Sequence, residues 1–113
     1  MDRPNIYNYK VTKLIEVMDG TTLVIVLDLG LGIRLTQEVK LNCLVALDPS
    51  ATAKFITTWF TSKEEQVYVR TYYNKDTQAV AGSFYRLDRL TGMTRECLND
   101  ELLFNSLTTF HLS

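Results

Sequence analysis

A chain of 113 residues, 46% hydrophobic and 22% charged, has the length of one domain and too much apolar content for disorder. Its formal net charge of −1 lacks the basic excess of strong nucleic-acid binders, which leaves room for a local basic patch at most. No apolar run approaches the ~20 residues that a membrane span needs.

The start, "MDRPNIYNYK", has no apolar segment of the kind a signal peptide carries. Cys43 and Cys97 stand far apart without metal-ligand spacing and read as buried free thiols. Together these features predict a cytoplasmic domain with no membrane contact.

The first strand spans Tyr9 to Met18, with Val11, Leu14 or Ile15, and Val17 apolar. Asp19-Gly20 then predicts a tight hairpin turn, because glycine accepts the positive φ such a turn needs. Thr22 to Leu29 is a denser second strand, as expected in a barrel wall. Gly30-Leu31-Gly32 breaks it. "IRLTQEVKLNCLV", from Ile33, predicts a long third strand that includes Val45 as a core residue.

At Asp48-Pro49-Ser50 the pattern changes to a helix, with Ser50 as N-cap and an end near Ser62. "VYVRTYY" from Val67 and "AGSFYRLDRL" from Ala81 predict the fourth and fifth strands. "ECLNDELLFNSLTTF" predicts a second helix with Leu98, Leu102, Leu103 and Leu107 on one face. The order is β-β-β-α-β-β-α. It is the order of an α+β, mainly β fold, one five-stranded OB-type barrel with two helices filling residues 1–113, although other twisted α+β sheets share it.

From Tyr9 to Leu107, the segments "VMDGTTLVIVLDLGLG", "VKLNCLVALDP", "AGSFYRLDRL" and "CLNDELLFNSL" resemble, in order and spacing, the staphylococcal-nuclease-like (thermonuclease) family. The "DLG" element is similar to its short phage and prophage members. That family's pattern runs V-x-D-G-D-T, then R-L-x-x-I-D-x-P-E, then G-R-x-L, then an L-N helix start. The resemblance implies a calcium-dependent phosphodiesterase in which carboxylates hold the ion, another acts on water, and two arginines grip the phosphate.

The residues at those positions depart from the pattern throughout. The second acid of D-G-D-T falls on Thr21, and the first arginine on Lys40. The aspartate of I-D-x-P falls on Val45, its proline on Leu47, the glutamate on Asp48, and the second arginine on Ser83. Ca²⁺ takes roughly six to eight oxygens with carboxylates among them, which Thr21 and Val45 do not supply. A missing general base alone costs about 10²–10⁴ in rate. Lys40 lacks the bidentate fork that fits a phosphate, and Ser83 lacks charge as well.

The expectation is therefore a nuclease-like fold with no catalytic residues, no metal and no cofactor. The resemblance implies a phage- or prophage-derived binding protein, expected to grip a host or phage protein or itself. A second expectation is binding of single-stranded nucleic acid or nucleotide through the barrel face, with Arg70, Tyr72, Phe84 and Arg86 as candidates beside Tyr68, Tyr73 and Tyr85. A third is a weak calcium-dependent nuclease that recruits Asp19, Asp28 and Asp48. His111, the only histidine, reads as a tail residue.

Overall fold

Both turn expectations in the first half of the chain hold in the computed structural model, which describes residues 6–42, 44–61, 66–74, 79–88, 90–91 and 93–110. Strand β1 (Ile6–Met18) turns through Asp19-Gly20 into β2 (Thr22–Gly30), which turns through Leu31-Gly32 into β3 (Ile33–Leu41). Asp19 and Gly20 take φ of 53° and 73° within the three-residue connection Asp19-Gly20-Thr21, since Met18 pairs with Thr22. A side chain at residue 20 would also collide: its Cβ would stand 2.8 Å from Pro49 Cα and 2.9 Å from the Ala46 Cβ.

The remaining elements are β4 (Leu44–Ala46), α1 (Pro49–Phe60), β5 (Gln66–Asn74), β6 (Ala79–Leu87), β7 (Thr94–Cys97), α2 (Leu98–Phe104) and β8 (Thr108–Phe110). Strand β1 is long enough to serve two partners. Its first residues pair with β5 (Ile6 opposite Tyr72, Lys10 opposite Tyr68), and its later ones pair with β2. Irregularities between Val11 and Lys13 and between Leu14 and Glu16 interrupt the regular register of the β2 ladder.

A short parallel contact, Lys40 with Ala81 and Leu41 with Gly82, joins β3 to β6 and closes the ring β1-β2-β3-β6-β5. That is the five-stranded OB-type barrel the sequence predicts. No described helix is long and apolar enough to cross a membrane.

Alternation fills the barrel. Leu23, Ile25 and Leu27 of β2, Val39 and Leu41 of β3, and Val67 and Val69 of β5 are buried, while their neighbours face outward. Helix α1 closes one end with Thr52, Ile56 and Trp59, spaced to share one face. Helix α2 adds Leu98, Asn99 and Leu102.

Several boundaries differ from expectation, for local reasons. Asp48, not Ser50, caps α1: its Oδ1 accepts from Ala51 N at 3.2 Å, and Pro49 takes the first helical position, where its missing N–H costs nothing. The third strand ends at Leu41, and Val45 belongs to a separate ladder of β4 with β8, opposite Thr109. There Val45 is exposed, so its placement in the core is corrected. The second helix stops at Phe104, since Ser106 takes φ of 57°, and the chain beyond becomes β8. Cys97 is a partly buried free thiol, while Cys43 and His111 lie outside the described residues.

Candidate functional site

The positions aligned with a nuclease cleft do not converge on one chemistry. Thr21 is buried, and its carbonyl accepts from Leu41 N at 2.7 Å, which ties the first turn to the end of β3. Lys40, between Thr22 and Ala81, is exposed on the outer wall. Ser83 lies on β6 opposite Arg70. The Asp48 carboxylate is engaged in capping α1, and Val45 lies on the small β4–β8 ladder. Among the described residues no three His, Cys, Asp or Glu side chains gather closely enough to hold a metal ion.

A more coherent surface is the outer face of β1, β5, β6 and β7. Buried Val67, Val69 and Thr71 on β5 alternate with outward Tyr68, Arg70 and Tyr72. The register then builds rows across the strands: Lys10, Tyr68, Tyr85 and Cys97 in one, and Asn8, Arg70 and Ser83 in the next. Tyr72 pairs with Ala81 in the third. Arg70 Nε donates to Asn8 Oδ1 at 3.3 Å. A shallow cavity of about 440 Å³ opens here, lined by Asn8, Tyr68, Arg70, Tyr85, Leu87 and Thr94.

Burial pushes the Tyr85 phenol above its usual range; the neighbouring Cys97 and Tyr72 add to the shift, against the Ser83 hydroxyl and Arg70. Burial also raises the Cys97 thiol, so both groups are neutral at physiological pH. The charge on these rows therefore comes from Lys10 and Arg70.

Two of the four expected binding-surface residues are not on this face. Phe84 and Arg86 alternate with Tyr85 and point into the protein. The Phe84 side chain is fully buried, and its ring meets Phe60 edge-on at a centroid distance of 5.5 Å. The Arg86 guanidinium lies 4.3 Å from the Trp59 ring centroid and pairs with Glu96 at 2.8 Å. Arg70 and Tyr72 stay as surface candidates and acquire Tyr68 and Tyr85 as neighbours.

A second unusual surface was not anticipated. The inward-facing rows of β2 and β3 continue past the barrel wall into the hairpin, where Leu29, Leu31, Ile33 and Leu35 are all exposed. Leu31 has full solvent exposure and a φ of 53°. For a residue with a bulky side chain that left-handed conformation costs about 1–2 kcal/mol. An apolar residue in such a place has neither burial nor local geometry to recommend it, and an observed outlier of this kind points to function.

The class that fold and surfaces define is an OB-type barrel with a tyrosine-bearing outer face and an apolar hairpin overhang. Compared with known proteins, the chain matches no family model, no curated protein and no solved structure.

Proposed function

We propose that the protein is a non-catalytic binding module on a nuclease-like OB-type scaffold, of phage or prophage type, that works by protein–protein contact through the β2–β3 hairpin. The observation behind this reading is Leu31, strained and fully exposed at the tip of an overhang whose other apolar residues are also uncovered. Contiguous exposed apolar surface on a small domain marks an interaction site. The departures at Thr21, Lys40, Val45, Asp48 and Ser83 support the non-catalytic part.

Leu31→Asp tests it cleanly, because aspartate tolerates positive φ and should leave the fold at least as stable. Affinity capture from lysate of the source cell, with quantitative recovery, should show a partner retained by the wild type and reduced about tenfold or more with Leu31→Asp, the equivalent of about 1.4 kcal/mol. Equal recovery by both proteins would remove the hairpin from the interface.

A second reading is favoured by the rows of Tyr68, Tyr72 and Tyr85 with Arg70 and Lys10. Tyrosine faces stack bases, and flanking cations follow a phosphate backbone. Salt-sensitive binding of a single-stranded oligonucleotide, weakened by Tyr72→Ala and not by Leu31→Asp, would move the assignment to nucleic acid.

A further inference from the structure

We propose that the overhang's partner is a second copy of this chain, added edge to edge along β3 to form a two-fold symmetric dimer. This deepens the protein-binding reading and rests on it only for the choice of surface. Strand β3 pairs with β2 along its whole length, but with β6 only at Lys40 and Leu41. From Ile33 to Val39 its other edge meets no strand among the described residues. Ile33 through Thr36 and Glu38 are exposed and Gln37 half-buried, so nothing described covers that edge.

Hydrogen bonds at the end of β3 fix which backbone groups this edge offers. Leu41 N–H donates to Thr21 O on the β2 side, and Asn42 N–H donates to Gly82 O on the β6 side. Because the pattern alternates, the odd residues bond β2, while Arg34, Thr36 and Glu38 aim N–H and C=O at the open edge. The Gln37 amide donates to Glu38 O at 2.9 Å, which leaves that carbonyl a second lone pair for a strand partner. Exposed backbone of this sort is a template for strand addition.

Two independent features choose the same register. The open segment Ile33–Val39 has Thr36 at its centre, so an antiparallel pair with the Thr36 residues on the dyad uses the whole open edge of both copies. That register also sets Arg34 opposite Glu38 of the partner subunit, and Glu38 opposite the partner's Arg34, on the solvent face. A slip by two residues keeps the backbone pattern but sets Arg34 against the partner's Thr36 and loses both pairs. A slip by one breaks the backbone match altogether.

On the opposite face the register sets Leu35 opposite the partner's Gln37, and exposed Ile33 opposite the partner's Val39, whose own side chain is buried in its barrel. The exposed Leu35 side chains of the two copies then stand as diagonal neighbours across the dyad. Edge strands often carry charges to repel such pairing, yet here opposite signs stand at symmetric positions and attract.

Sedimentation velocity over a concentration series, with the full chain, tests the dimer. The expected particle is twice the 13.0 kDa protomer. Arg34→Glu alone and Glu38→Arg alone each set like charges against one another and should raise the dissociation constant about tenfold or more. The double variant Arg34→Glu/Glu38→Arg restores opposite pairs and should return the dimer to near wild-type strength. Circular dichroism of each variant confirms that it is folded, since both positions are exposed.

A monomer at every concentration overturns the inference. So does a dimer indifferent to the single reversals, or one that the double reversal does not restore. Partner capture sensitive to Leu31 is read separately, so a monomer that still binds another protein through the hairpin sinks the dimer and spares the protein-binding reading.

Discussion

Phe84→Ala should lower the unfolding free energy by about 3–5 kcal/mol, the cost of deleting a fully buried aromatic ring and leaving a cavity. The ring occupies the barrel interior with no exposed surface and an edge-on contact with Phe60, so no nearby side chain fills the gap without breaking another contact. A domain of this length holds roughly 5–15 kcal/mol in all, so the variant should stand near its unfolding threshold. Urea denaturation of Phe84→Ala beside Tyr72→Ala separates the roles. The outward tyrosine should cost far less, and equal losses would mean that β6 does not face the barrel as described.

Asn99→Ala should cost about 2–4 kcal/mol, although a single small polar side chain is removed. Asn99 is buried at the start of α2, where its amide acts as a substitute strand neighbour for β6. Its Oδ1 accepts from Phe84 N at 3.1 Å and its Nδ2 donates to Gly82 O at 3.2 Å. Strand β7 pairs with β6 only from Tyr85 onward, so Phe84 N–H has no strand partner on that side.

Gly82 O keeps the bond from Asn42 N, but the Phe84 N–H would be left buried, a loss of about 1–3 kcal/mol before the cavity is counted. Asn99→Asp discriminates further. It retains an acceptor for Phe84 N–H but faces Gly82 O with a second acceptor or a buried charge, and should also be destabilised. A melting temperature unchanged in Asn99→Ala would show that the amide is not the bridge between α2 and the barrel.

Features that depend on adjacent residues were legible in the sequence. Asp19-Gly20 encodes its own turn, and the strands on either side carry enough β-branched residues to declare themselves. The barrel order followed from those elements and one helix. The failures have a common cause in distance. Leu44 pairs with Phe110 across more than half of the chain, and a three-residue strand made that way leaves no periodic trace.

Residue type alone suggests Phe84 and Arg86 for a binding face, whereas alternation with Tyr85 turns both inward. What buries Arg86 is the Trp59 ring and the Glu96 carboxylate, supplied by other elements. Ser50 is a good cap by residue type, but Pro49 suits the first helical position and so places the cap one residue earlier, at Asp48. The overhang was invisible for a further reason. Alternating apolar residues imply burial, and nothing in Leu29, Ile33 or Leu35 says that the barrel wall stops before the hairpin does.

The separation of this scaffold from phosphodiester chemistry is tested most directly by incubating the protein with an end-labelled single-stranded oligonucleotide in Ca²⁺ and resolving the products by length. The strand should remain at full length, with or without the ion. Shortening that appears with Ca²⁺, disappears with chelator and is lost in Asp19→Asn or Asp48→Asn would show that a working metal site survives beside the first turn, and the non-catalytic reading would fall.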